Sequence, residues 1–88
     1  MPSITLVFTS SGVMPLSAMR DGTRGVIVGV LSANEGRADQ LLALGVTPGA
    51  GVTVLQTFPG VVFLCDQTEL AVERDVADSV IVRTEENR

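Results

Sequence analysis

A mainly β fold, a small barrel of about five strands with one inserted amphipathic helix, is what this sequence predicts, on three observations. Its apolar runs are short, rich in Val, Ile and Leu, and broken by Gly, Pro, Asp and Ser at turn spacing. Only one stretch carries helical periodicity over more than a single turn. The chain has 88 residues, 45% apolar and only 3% aromatic, which supports one thin aliphatic core and one domain. Short strands with little aromatic mass are best protected by curling into a closed or partly open barrel, which removes most exposed edges.

The elements follow in order. Ile4 to Phe8 reads as a short strand, followed by "TSSG", so residues 1–13 form an N-terminal arm able to pair with a sheet edge or with a second copy. "MPLSAMRDG" at 14–22 places Leu16 and Met19 at i, i+3 and ends in an Asp-Gly turn signal, giving one helical turn. "GVIVGVL" at 25–31 is dense in β-branched side chains, which suit a pleated surface. In "SANE" at 32–35, Ser32 can cap a helix while Glu35 reaches back to its amide, with Asn34 as a competing cap.

The following "GRADQLLALG" sets Ala38, Leu41, Leu42 and Gly45 on one helical face and turns Arg37, Asp39 and Gln40 outward. Three short strands then form a meander: "VTVLQ" at 52–56, "VVFLC" at 61–65 and "ELAVE" at 69–73, joined by "TFPG" and "DQT". Leu70 and Val72 fall on one side of the last strand and Glu69, Ala71 and Glu73 on the other. Asp75 can cap a turn running to Asp78, "SVIV" at 79–82 closes the sheet, and 85–88 is a polar tail. Phe8, Phe58 and Phe63 are the only rings available to the core.

"LLALGVTPGAGVTVLQ" at 41–56 poses the one local question of function, because glycine-dense loops can hold phosphate. A phosphate loop needs its glycines before a helix, where free amides and the positive dipole end lie. Here they follow one. Gly45 stands where a left-handed residue stops a helix, and Pro48-Gly49 fits the centre of a type II turn. The structural turn motif Gly45, Pro48, Gly49 is therefore a hinge between helix and strand.

Reactive chemistry is scarce. Six Arg and no Lys against ten acidic residues leave a net charge of −4, without the basic face that neutralises nucleic acid. There is no His, and the single Cys65 lies in an apolar run where a buried, inert thiol is expected. No Cys-His nucleophile pair and no imidazole or thiolate metal site can be assembled, so no catalytic residue, no cofactor and no metal ligand is assigned, and the chain is not read as an enzyme. Asp66, Glu69, Glu73 and Asp75 crowd one hairpin region, but a solvated strand face and a turn cap account for them. No apolar stretch approaches the ~20 residues that span a bilayer, which excludes direct membrane insertion by a helix. The first 14 residues contain no Lys or Arg and so lack the basic start of a secretory signal; a cytoplasmic location is expected.

Three segments, "LSAMRDGTRGVIVGV", "ADQLLALGVTPGAGVTVLQ" and "ELAVERDVADSVIV", resemble in order and spacing the FeoA domain, over residues 16–82. The block Leu-Leu-Ala-Leu-Gly-Val-Thr-Pro-Gly is the most specific part. The resemblance implies an SH3-like barrel, here residues 14–84, and a small bacterial cytoplasmic accessory protein that binds or regulates the ferrous-iron transporter FeoB by protein-protein contact. It would contribute binding and not chemistry. The same domain type also occurs as an appendage of metal-dependent repressors, so docking on such a repressor is an alternative, as is a self-associating module joined through the N-terminal arm. The connection at 57–60 is shorter than many members carry, which alters any partner surface built there. Candidates for a partner surface lie on the helix: Arg37, Gln40, Leu44 and Val46. Both apolar members of that set also suit the core.

Overall fold

In the computed structural model, which describes residues 12–31 and 35–85, the chain runs through β1 (Val13–Pro15), a 3-10 turn (Leu16–Ala18), β2 (Arg24–Val30) and helix α1 (Glu35–Ala43). It continues through β3 (Gly51–Gln56), β4 (Val61–Cys65), β5 (Thr68–Val72), a one-turn helix α2 (Arg74–Ala77) and β6 (Val80–Thr84). The expected strand at Ile4 to Phe8, the Ser32 and Asn34 caps and the end of the polar tail lie outside the described residues.

The strands form one antiparallel six-stranded sheet in the order β1-β6-β2-β3-β4-β5. Among the described residues that is one strand more than the about five expected. β1 has three residues and ends in Pro15, too short for alternation to register, and it exists because it pairs with β6, Val13 opposite Arg83. The sheet therefore begins one residue before Met14, where the barrel was expected to start. Register breaks between Ile27 and Gly29 in β2 and between Val54 and Gln56 in β3 insert an extra residue into each strand. Such bulges sharpen the local twist and curl a sheet around its inner face.

That inner face holds a single aliphatic core. Leu16, Ile27, Val46, Val54, Val61, Phe63, Val80 and Val82 are essentially without solvent contact. Phe63 is the one ring in it among the described residues. Phe58, expected inside as well, is 77% exposed because it sits at the tip of the β3–β4 connection and not on a strand. Leu16 and Met19 of the helical turn both face the core, as their spacing predicts. Between them the Ser17 hydroxyl donates to the Asp78 carboxylate just past α2, so a serine 8% exposed ties the start of the barrel to its last crossing.

Helix α1 departs from its expected face. Leu41 is buried and Ala38 half-buried, but Leu42 is 49% exposed. The chain reversal explains this. The Gly45 amide donates to the Leu42 carbonyl at 3.0 Å and the Val46 amide to the Leu41 carbonyl at 2.9 Å, a Schellman arrangement with Gly45 at φ 96°. Val46 is thereby folded back into the core that Leu41 also joins, while Leu42 is left facing solvent. The next turn has the Ala50 amide on the Thr47 carbonyl at 3.0 Å and Gly49 at φ 94°, as a type II turn requires after Pro48. Gly49 and Ala50 are then stitched to Ile27 of β2 by two backbone hydrogen bonds of 2.8 and 2.9 Å.

A Cβ at Gly45 meets no atom within 4 Å, so its positive φ is the only obstacle to a side chain there. Gly45→Ala is expected to lower stability by about 1 kcal/mol or more, read as a downward shift of the thermal midpoint. An unchanged midpoint contradicts the helix-stop assignment.

Asp75 is not the cap of α2. Glu73 occupies that position in extended conformation without a side-chain cap bond, and Asp75 lies inside the first turn. There its charge faces the positive end of the short helix, and it pairs with Arg37 of α1 at 3.7 Å.

Candidate partner surface

The helix candidates divide. Arg37, Gln40 and Leu44 stand at i, i+3 and i+7, so they share one line along α1 and its exit, and Gln40 and Leu44 are exposed. Arg37 is half-exposed and engaged with Asp75. Val46 has no solvent contact and leaves the candidate surface altogether, because the Gly45 reversal turns it inward. What remains along α1 and its exit is Gln40 and Leu44, with Leu42 also solvent-facing.

A second surface emerges from the sheet register. In β4, Val61, Phe63 and Cys65 face the core, so Val62 and Leu64 face outward. Leu64 lies between Thr53 of β3 and Glu69 of β5, while Val62 lies between Gln56 and Ala71. Leu55, the extra residue of the β3 bulge, is 42% exposed next to that row. The outer face of the meander is thus aliphatic at its centre and acidic toward β5. The sequence does carry a signal for it. "VVFLC" does not alternate, and a strand apolar at every position is apolar on both faces.

Phe58 projects from the end of this meander on an anchored loop. The Arg74 guanidinium donates to the Thr57 carbonyl, and the Thr57 hydroxyl donates to the Asp21 carboxylate at 3.2 Å. On the far side, a Cβ on Gly60 would come within 3.0 Å of the Val72 carbonyl, so the loop lies directly against β5. An aromatic inside a turn sequence reads as core, and only the anchoring of this loop by residues distant in sequence puts Phe58 outside.

The groups that could support chemistry are placed as structure. Cys65 is 3% exposed, and its thiol donates to the Gly45 carbonyl at 3.3 Å. Burial, and after it the neighbouring Asp66 charge, push the thiol up from its ordinary value, so it stays neutral and unreactive near pH 7. Asp66 adopts φ 56° in the β4–β5 turn, and its backbone and carboxylate both bond Gly51. Among the described residues no three Cys, Asp or Glu side chains converge as a metal site would need, and no helix is long and apolar enough to cross a membrane.

Comparison with known proteins agrees with this fold. Residues 14–84 match the FeoA domain family. A crystal structure of an iron uptake regulatory protein (FeoA) superposes with a TM-score of 0.77 at 30% identity, over 84% of this chain and 100% of that one. FeoA from Stenotrophomonas maltophilia, described as an SH3 domain protein and solved with zinc, gives 0.71 at 27% identity, over 78% of this chain and 88% of that one. A manganese-dependent transcriptional repressor gives 0.78 at 18% identity, over 85% of this chain but 43% of the repressor, a likeness of fold alone. No curated protein sequence matches significantly.

Proposed function

This chain belongs to the FeoA domain family, and on that premise we propose that it is a cytoplasmic accessory protein that binds the ferrous-iron transporter FeoB by protein-protein contact. The observation that carries the reading is the family match across residues 14–84, which spans every strand but the first residue of β1. The SH3-like fold agrees, since the relative from Stenotrophomonas maltophilia is described as a protein of that type.

The residues of the chain support binding in place of catalysis. Its one thiol is buried and neutral, and it has no imidazole to activate a nucleophile or hold a soft metal. The zinc of the Stenotrophomonas maltophilia protein is therefore not carried over. What the molecule offers instead is exposed apolar surface on a rigid frame, Leu44 beside Gln40 on the helix line and Phe58 at the anchored loop. Exposed aromatic and aliphatic side chains of this kind, held in place before contact, lose little conformational freedom on docking.

Purified chain titrated against detergent-solubilised FeoB from the same cells is expected to show saturable binding, with a Kd on the order of micromolar. Absence of binding up to about 100 μM overturns the proposal.

A further inference from the structure

We propose that the outer edge of β5 is a docking site for an extended, basic segment of a partner protein, which adds to the sheet as a further antiparallel strand. β5 stands at one end of the strand order, and among the described residues it is paired only with β4, from Val61–Val72 to Cys65–Thr68. Alternate residues of such a strand turn their N–H and C=O groups away from the paired side, leaving a template for another strand. The other edge differs. β1 is three residues long and carries Pro15, whereas β5 has five residues and none of the proline or lysine that commonly guards an edge.

The side chains of β5 specify the occupant. On the outer face Ala71 lies between Glu69 and Glu73, which stands just past the strand at the start of α2, all three exposed; β5 itself carries no basic residue, and Arg74 beyond it is engaged with the Thr57 carbonyl. On the inner face Leu70 and Val72 are half-buried against the core, so an apolar flank of each remains to be covered. A segment of the pattern basic-apolar-any-apolar-basic places its charges opposite Glu73 and Glu69 and its apolar side chains beside Val72 and Leu70. A second copy of β5 does not fit. Antiparallel pairing centred on Ala71 sets Glu69 against Glu73 twice, and pairing centred on Leu70 leaves the same carboxylates diagonal to each other, while unlike charges there attract. Cytoplasmic loops of membrane proteins are enriched in Lys and Arg and have this chemistry, but the inference holds whichever protein supplies the segment.

The test uses the full chain, isotope-labelled for NMR, and an end-capped peptide with the core Lys-Val-Thr-Val-Lys. The peptide is expected to shift the amides of β5 first. Its affinity is expected to fall about threefold to tenfold on the double substitution Glu69→Gln, Glu73→Gln, and comparably when alternate peptide amides are N-methylated, because strand addition needs them. A Glu-Val-Thr-Val-Glu peptide is expected not to bind. Shifts confined elsewhere, equal binding of the acidic or N-methylated peptide, or dimerisation of the chain through β5 overturns the proposal. Because FeoB is not in the experiment, failure here leaves the transporter reading standing, and failure to bind FeoB leaves this one.

Discussion

Replacing Phe63 by Ala is expected to bring the domain close to unfolding. Phe63 is the largest fully buried side chain and sits in the middle of β4, opposite Val54 on one side and Leu70 on the other. Truncating a buried ring removes its transfer free energy and leaves a cavity, for a cost of about 3–5 kcal/mol. Domains of this size are held by roughly 0.05–0.15 kcal/mol per residue, so one substitution removes much of the reserve. With about 1 kcal/mol per molar urea for a small chain, the unfolding midpoint is expected to fall by about 3 M, or the variant to be unfolded without urea. Phe58→Ala is the internal control. The ring it removes is 77% exposed, and a change within about 0.5 kcal/mol is expected. Comparable losses from both substitutions contradict the assignment of one ring to the core and the other to the surface.

Gly25→Ala is the second large effect, and its origin is crowding. A Cβ at this position would lie 2.5 Å from Cγ1 of Val82 and 2.7 Å from the carbonyl oxygen of Arg83. Neither neighbour can yield easily: Val82 is a fully buried core residue of β6, and the Arg83 carbonyl belongs to the backbone of the strand that β2 pairs with. Overpacking of this kind costs about 1–3 kcal/mol, and here the upper end is expected because backbone must move. The same substitution at Gly29, where a Cβ meets nothing within 4 Å, is expected to be tolerated far better. Urea unfolding of the two variants side by side checks this, and equal stability contradicts the close approach of β2 to β6.

What the sequence revealed depended on whether a local rule decided the outcome. The alternating or β-branched runs of β2, β3, β4 and β5 and the stop at Gly45 follow from strand and turn chemistry confined to a few residues, and each is where it was expected. β1 was not legible, since three residues ending in Pro15 carry no pattern and depend on a partner strand about 70 residues away. Leu42 departs from its expected face for a related reason: helical spacing assigns it inward, but the Gly45 reversal brings Val46, which also suits the core, back toward Leu41.

The candidate surface was less legible than the fold. The exposure of Gln40 follows from helical spacing alone, whereas Leu44 suits the core equally well by composition and is exposed because it stands at the helix exit. Phe58 was missed because exposure of a turn aromatic depends on how Arg74 and Asp21 hold the loop, both distant in sequence. That β5 ends the strand order among the described residues could not be read either, as a strand is known to be an edge only once the order of the sheet is known.

For a FeoA-family protein proposed to be a partner of the ferrous-iron transporter, uptake itself is the most direct measurement. Cells lacking only this protein, supplied with radiolabelled ferrous iron under reducing conditions, are expected to accumulate it more slowly than the parent, with the rate restored by the wild-type chain. Equal uptake with and without the protein, at unchanged transporter abundance, contradicts the account.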